Sequence, residues 1–181
     1  IASFGRDENS DEAIDGLEAA GVDDLPIRNR RRIATKTRFV VDTQKMFLLD
    51  ESPSVPTDST SERWLLEQVA RLADTQASLL LHDAGLGCFS DSLCHEMIHL
   101  ARPLYRASGA GTAGSRGRLI RFAYADALLA SERGVRVAMR DHEQGLSALA
   151  YRLLTETRGK SLLVPPGRKA LLAFDQLHPT T

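Results

Sequence analysis

Residues 92–101 read Ser-Leu-Cys-His-Glu-Met-Ile-His-Leu-Ala, and this stretch decides how the fold of the chain is interpreted. No glycine or proline interrupts it, and Pro103 indicates that a helix here ends near Arg102. At about 100° per residue, four apolar side chains fall on one narrow stripe, namely Leu93, Met97, Leu100 and Leu104. His95 and His99 project from the opposite side. The stretch therefore predicts an amphipathic helix that keeps both histidines out of the core.

The rest of the chain predicts further helices together with a small amount of sheet. Periodic apolar residues indicate helices over residues 10–20, 61 to 85, 118–133 and 141–159. Alternating or short apolar runs indicate strands over residues 38–41, 45–49, 135–139 and 161–164. Residues 42–44 form the turn of a hairpin between the first two strands. The expected fold class is α+β and mainly α-helical, with several helices packed against a small hairpin or sheet.

Length and charge suggest how the chain is organised. It has 181 residues and a formal net charge of −1, so its overall charge gives no general attraction to nucleic acid or membranes. Acidic residues are concentrated over residues 7–24, and basic residues are concentrated over residues 28–38. This pattern predicts an acidic-then-basic, partly flexible N-terminal arm over residues 1–36, followed by a single globular domain over residues 37–181.

Two further features indicate the compartment. No run of about 18 apolar residues is present, so the sequence predicts no transmembrane helix. Cys88 and Cys94 are the only cysteines, which is typical of a protein from a reducing compartment rather than of a disulfide scaffold. We therefore expect an intracellular location, either cytoplasmic or nuclear.

The spacing of the two histidines is that of a metal site. On a helix, His95 and His99 lie one turn apart on the same face, so that two imidazoles can ligate one Zn²⁺. Glu96 follows the first histidine, and its carboxylate can act as general base on a metal-bound water. This HExxH pattern predicts a zinc-dependent hydrolase.

The same residues resemble a known group of enzymes. Residues 92–101 look like the active-site helix of zincin metallopeptidases, which keep uncharged residues around the HExxH pattern. The string His-Glu-Met-Ile-His is especially similar to the SprT-like (Spartan-type) proteases, which act on proteins crosslinked to DNA. The resemblance implies that His95 and His99 are zinc ligands and that Glu96 is the catalytic base.

A third zinc ligand has to come from elsewhere in the chain. Where metzincin peptidases would have Gly and His, this sequence has Arg102 and Tyr105. The usual catalytic zinc shell consists of three protein ligands and a water. We rank His142 ahead of Glu132 and Asp126, because a loop-to-helix junction can place it next to another helix.

Two alternative sites overlap or follow the same helix. A structural zinc site with two thiolates and two imidazoles would use Cys88, Cys94, His95 and His99. Residues 109–114 match the glycine pattern GxGxxG of dinucleotide-binding folds. The residues before these glycines, 102–107, do not form the apolar strand which that motif needs, so a loop between helices is favoured.

The basic segment supports a hypothesis of a different kind. It contains six cationic side chains: Arg28, Arg30, Arg31, Arg32, Lys36 and Arg38. Such residues contact nucleic-acid phosphates or an acidic protein surface. They also pair with acidic residues in their own chain, and here the acidic residues come just before them.

Two hypotheses follow. The leading one is a zinc metallopeptidase with a polypeptide substrate, in which His95, His99 and His142 bind Zn²⁺ and Glu96 activates water. The competing one is a non-enzymatic helical structural or interaction protein that carries no metal. It would bind nucleic acid or a protein partner through residues 28–38.

Overall fold

The computed structural model describes residues 1–73, 78–100, 105–110, 118–165 and 170–176. Within these residues the chain is an α+β protein, as predicted, with five α-helices and three small sheets. Its internal contacts divide it into two compact units. Unit 1 comprises Ile1–Glu62 with Leu86–Cys88, and unit 2 comprises Arg63–Gly85 with Phe89–Thr181.

Unit 1 contains two small sheets and one helix. Its elements are β1 (Ala2–Ser3), α1 (Glu8–Ala19), β2 (Pro26–Ile27), β3 (Thr35–Val41) and β4 (Gln44–Glu51). β1 pairs with β2 in parallel, and β3 pairs with β4 as an antiparallel hairpin. The predictions of α1 and of the hairpin are confirmed. The predicted arm, residues 1–36, includes β1, α1 and β2, and its separate mobility stays a prediction.

A buried hydrogen-bond junction fixes the start of α1. The backbone N–H of Gly5 donates to Ser10 Oγ at 2.9 Å, and this hydroxyl donates to the Asp7 carboxylate. The same carboxylate accepts the backbone N–H of Ile33 at 3.2 Å. These hydrogen bonds hold the pKa of Asp7 below its ordinary value, and the bond from the Ser10 hydroxyl has the largest effect. The junction therefore connects the first turn of α1 to the segment that leads into β3.

The hairpin is stabilised by pairs of side chains across its two strands. Phe39 lies opposite Phe47, and their rings stack with centroids 4.2 Å apart. Lys36 lies opposite Asp50 and pairs with it at 3.6 Å. Cross-strand aromatic and opposite-charge pairs are the main local stabilising contacts in a two-stranded sheet.

Unit 2 is built around a five-stranded sheet. Its strands are β5 (Ser78–Asp83), β6 (Tyr105–Ala110), β7 (Ala127–Leu129), β8 (Ser161–Val164) and β9 (Leu172–Asp175), paired in that order. β5 to β8 run parallel, and β9 is antiparallel to β8. The remaining helices are α2 (Ser59–Ala73), whose residues from Arg63 onward belong to this unit, α3 (Asp91–Leu100), α4 (Glu132–Met139), α5 (Leu146–Thr157) and a short 3₁₀ helix (Leu119–Arg121). The carboxyl ends of the four parallel strands therefore meet at one edge of this sheet.

The core of unit 2 lies where α4 and α5 pack with the sheet. The side chains with almost no exposed surface include Leu119, Phe122, Leu128, Val135, Leu149, Leu153, Leu154, Leu162 and Val164. Burial of such apolar side chains contributes on the order of 2 kcal/mol each to folding. Of the helices that the structure describes, α2 is the longest, with 15 residues. Among the described residues, no helix is long and apolar enough to cross a membrane.

Three predicted elements of unit 2 are wrong in type. The helix was expected to continue to residue 85, but residues 78–83 of this range form the strand β5. The helix expected over residues 118–133 is instead the 3₁₀ helix followed by β7. The strand expected over residues 135–139 belongs to α4, because Val135 and Met139 are buried one turn apart while Val137 is 48 % exposed.

Candidate functional site

The carboxyl end of β5 carries a cluster of charged side chains. Asp83 is the last residue of β5, and its side chain is only 1 % exposed. In open sheets of parallel strands, ligands bind in the crevice outside the carboxyl ends of the strands. The cluster around Asp83 is therefore the candidate functional site.

Hydrogen bonds satisfy both oxygens of this buried carboxylate. Asp83 Oδ2 accepts from Arg121 Nη1 at 2.9 Å and from the backbone N–H of Arg118 at 3.4 Å. Asp83 Oδ1 accepts the backbone N–H of Gly85 at 2.8 Å. The 3₁₀ helix and the residue before it supply both arginines, so this short element brings positive charge to the end of the strand.

The network continues from the buried pair to the surface. Arg121 Nη1 also donates to the carbonyl of Phe89 at 2.7 Å, and Arg121 Nε lies 3.1 Å from Asp91 Oδ1. Asp91 begins α3 and pairs with Arg118 Nη1 at 3.3 Å. The Asp91 and Arg118 side chains are 61 % and 55 % exposed, so they present a carboxylate and a guanidinium to solvent side by side. In such a pair the carboxylate can accept hydrogen bonds from hydroxyl groups of a ligand, and the guanidinium can donate hydrogen bonds to an oxyanion.

The predicted HExxH helix exists as α3, and its histidines face outward. Leu93, Cys94, Met97 and Ile98 are buried, whereas His95, Glu96 and His99 are exposed. The His95 ring lies 6.5 Å from the Tyr124 ring in an edge-on arrangement. Leu100, which the helical projection places in the apolar stripe, is 39 % exposed, and Leu104 lies outside the described residues.

The three residues predicted as candidates for the third zinc ligand do not form a metal site with His95 and His99. His142 is an exposed residue in the turn between α4 and α5. Asp126 pairs with Lys160 at 2.5 Å, and Glu132 pairs with Arg136 at 2.8 Å on the surface of α4. Over residues 1–73, 78–100, 105–110, 118–165 and 170–176, no three His, Cys, Asp or Glu side chains are grouped so that they could hold a metal ion. This covers both the catalytic zinc site and the alternative site with Cys88 and Cys94.

Half of the basic segment is engaged in contacts within unit 1. Arg28 pairs with Asp11 at 2.6 Å, and Lys36 pairs with Asp50. Arg30 is buried and donates to the carbonyl of Leu86 at 3.0 Å. The remaining members of the segment are exposed, and these are Arg31, Arg32 and Arg38.

The glycine pattern over residues 109–114 begins inside a strand. Gly109 and Ala110 are the last two residues of β6, and residues 111–114 lie outside the described part of the chain. The expectation that a loop, rather than a strand, occupies the start of this pattern is therefore wrong.

Sequence reasoning missed the Asp83 cluster. Its two central residues, Asp83 and Arg121, are separated by 38 positions, and no local pattern connects them. A usable signal was nevertheless present. Residues 79–81 are three consecutive leucines, followed closely by Asp83 and Gly85, which is typical of a buried strand that ends in a polar turn.

Comparison with known proteins identifies the fold but no sequence family. No protein-family model matches the chain, and no curated protein matches it in sequence. Phosphofructokinase-2 from Escherichia coli superposes with a TM-score of 0.73 at 10 % identity, over 97 % of this chain and 58 % of its own. Ribokinase from Giardia lamblia gives a TM-score of 0.68 at 9 % identity, over 97 % and 58 % respectively. A microbiome-derived acarbose kinase gives 0.64 at 15 % identity, over 96 % and 53 %.

These likenesses correct the leading sequence hypothesis. The chain has the fold of carbohydrate kinases, and it spans 53–58 % of the length of these three structures. The resemblance of residues 92–101 to zincin and SprT-like metallopeptidases is therefore a match confined to one short helix, and the prediction of a zinc metallopeptidase is wrong. The competing hypothesis of a non-enzymatic structural or interaction protein, which would bind nucleic acid or a protein partner through residues 28–38, stays a prediction.

Proposed function

We propose that the chain is part of an enzyme that transfers a phosphoryl group to a hydroxyl of a carbohydrate. One observation carries this proposal: nearly the whole chain shares its fold with kinases for different carbohydrates. One neighbour, phosphofructokinase-2, has been solved in complex with fructose-6-phosphate. A small-molecule substrate replaces the polypeptide that the sequence hypothesis required.

The Asp83 cluster supports a polar small-molecule site in unit 2. It lies at the carboxyl end of β5, and its outer pair, Asp91 and Arg118, is exposed. Carboxylate oxygens accept hydrogen bonds from sugar hydroxyls, and a guanidinium binds an oxyanion in a bidentate manner. We assign these two side chains to substrate binding, and we assign Asp83 and Arg121 to positioning them.

Phosphoryl transfer also requires a donor. Such reactions use a nucleoside triphosphate with Mg²⁺, and catalysis depends on placing the two substrates in line and neutralising the charge that develops between them. A protein that uses this donor would work inside the cell, where we place it. Of the two locations that the sequence predicts, cytoplasmic and nuclear, we propose the cytoplasm.

The test measures turnover and binding with a panel of carbohydrates. ADP release is followed with Mg·ATP and a series of pentoses, hexoses, disaccharides and their phosphates, and calorimetry measures binding of the same compounds without ATP. We expect one carbohydrate class to bind saturably and to stimulate ADP release. Neither binding nor turnover with any member of the panel would contradict the proposal.

A matched pair of variants connects the activity to the cluster. Asp91→Asn removes the exposed carboxylate at the start of α3 and should weaken carbohydrate binding by about tenfold, as expected for one charge-assisted hydrogen bond. Glu67→Gln makes the same chemical change at an exposed position of α2 and should leave binding unchanged. Equal affinity in the two variants would remove Asp91 from the site, provided that circular dichroism shows both to be folded.

A further inference from the structure

Unit 1 has a cavity of its own, which is partly open to solvent. Its volume is about 630 Å³, which is within the range of cavities that hold small organic ligands. It is lined by Asp7, Asn9, Arg30, Arg31, Arg32, Ile33, Thr35, Glu51, Pro53 and Val55. All of these residues belong to unit 1 and lie outside the Asp83 cluster.

The lining of the cavity has more basic than acidic side chains. Three consecutive arginines face two carboxylates, and one of the two, Asp7, already accepts hydrogen bonds from Ser10 and Ile33. Among the described residues, no carboxylate lies within ion-pair distance of Arg31 or Arg32, although other basic residues of unit 1 do form such pairs. Two guanidinium groups of the cavity wall are thus available to a ligand.

The third arginine is held in place and is incompletely satisfied. Arg30 is 7 % exposed, and its Nη2 donates to the carbonyl of Leu86. In the part of the chain that the structure describes, its buried Nε has no hydrogen-bond partner, and its charge has no counter-ion. A buried cationic group without a counter-ion is unfavourable in a region of low dielectric constant, and an anion in the adjoining cavity relieves that cost.

The remaining wall indicates the shape of the ligand. Ile33, Pro53 and Val55 give the cavity an apolar side, and Asn9 and Thr35 add neutral polar groups. A free inorganic ion would fill only a small part of the space and would use none of these contacts.

We propose that this cavity binds a small organic phosphate monoester, whose phosphate contacts Arg31 and Arg32 beside Arg30 and whose carbon part lies along Ile33, Pro53 and Val55. Arginine fits phosphate well because its planar fork of N–H donors matches two phosphate oxygens. The proposal goes beyond carbohydrate phosphorylation, because it concerns a separate cavity and requires no catalysis.

Calorimetry with three probes tests the class of ligand. The probes are glucose 6-phosphate, inorganic phosphate and glucose, each titrated into the full chain at low and at moderate salt. We expect glucose 6-phosphate to bind saturably and to bind more weakly at moderate salt than at low salt. Inorganic phosphate should bind more weakly than glucose 6-phosphate. Any binding of glucose should be the same with and without the charges of Arg31 and Arg32. If glucose 6-phosphate shows no saturable binding, or binds no more tightly than glucose, the proposal is overturned.

Two variants locate the binding. Arg31→Gln/Arg32→Gln removes two exposed charges of the lining and should lower the affinity for glucose 6-phosphate by about tenfold or more. Arg38→Gln removes an exposed arginine of β3 that is not part of the lining and should leave the affinity unchanged. Equal effects of both changes would indicate a non-specific charge effect. Loss of binding in Asp91→Asn but not in the double variant would place the ligand in unit 2, and either result overturns the proposal.

Discussion

Gly5 lies where two backbone segments of unit 1 approach each other closely. A Cβ atom at this position would lie 2.5 Å from the backbone nitrogen of Ile33 and 2.6 Å from the carbonyl carbon of Arg32. It would also clash with the Asp7 carboxylate. Backbone atoms cannot move aside as the end of a flexible side chain can, so this glycine is required by space rather than by its backbone angles.

We predict that Gly5→Ala destabilises unit 1 by about 2 kcal/mol or more, which is the usual cost of forcing an extra methyl group into a packed site. Gly16→Ala is the matched control, because nothing lies within 4 Å of its added Cβ and alanine favours the helix at this position in α1. It should raise stability by about 0.5–1 kcal/mol. Urea unfolding measures both changes, and equal stability of the two variants would contradict the packing argument.

The buried pair of Asp83 with Arg121 makes a second prediction at this scale. Asp83→Asn removes the buried counter-charge of Arg121, whose side chain is 13 % exposed, and leaves only the exposed Asp91 carboxylate beside it. We expect a loss of about 3 kcal/mol. The double variant with Arg121→Gln should lose less stability than the sum of the two single changes, because each single change already breaks the same buried contact. Glu156→Gln breaks an exposed pair with Arg152 and should change stability by less than about 1 kcal/mol. Additive losses in the double variant, measured by denaturant unfolding, would show that the pair is not coupled.

The start of α2 shows how one acidic residue defines the beginning of a helix. The Asp58 carboxylate accepts the backbone N–H groups of Thr60 and Ser61, both at 3.0 Å, and the Ser61 hydroxyl at 2.8 Å. The backbone bond from Ser61 is the largest cause that holds the pKa of Asp58 below its ordinary value of 3.8. This contact stabilises the ionised form in the folded chain only.

We therefore predict that stability falls on acidification in a way that depends on Asp58. Because the pKa is lower in the folded chain than in the unfolded chain, the contribution is fully present above pH 3.8 and is lost as the pH falls through the lower, folded value. Asp58→Asn can still accept the backbone N–H groups but cannot ionise, so its stability should depend less on pH below 4. The measurement is the urea midpoint between pH 6 and pH 3, and parallel curves for both proteins would contradict it.

Elements with a clear local signal could be predicted from the sequence. The hairpin β3–β4 has alternating residues on either side of a polar turn, and α5 has apolar residues at helical spacing before Gly159. The sequence of β5 does not distinguish it from a helix, because its three consecutive leucines do not show the alternation of the structure, in which Leu81 is 3 % exposed and Leu80 is 64 % exposed. β6 contains Arg106, Ser108 and Gly109, and its place in the sheet comes from pairing with β5 and β7. In α4 the apolar residues also fit alternation, and the deciding features are the Ser131 cap and the Glu132–Arg136 pair.

At the scale of the whole molecule, the fold could not be recognised from any short motif. The three kinases named above share 9–15 % of their residues with this chain, which is too few for a local pattern to identify the fold. His95 and His99 have the spacing of zinc ligands, but their helix, α3, belongs to a fold other than that of the zincin metallopeptidases. The proposed site uses the contact between Asp83 and Arg121, which are 38 positions apart in the chain, so no short motif could show it.

The β3–β4 hairpin has a consequence for handling the protein. Both strands are edge strands, and seven of their large apolar side chains are more than 40 % exposed: Phe39, Val40, Val41, Met46, Phe47, Leu48 and Leu49. Open strand edges with apolar side chains template further strands, and charged neighbours such as Lys45 oppose that process. At high concentration the chain should therefore aggregate through intermolecular β-strand pairing that begins at the β3–β4 hairpin. Added charge on its apolar positions would then improve the yield of monodisperse protein more than changes elsewhere.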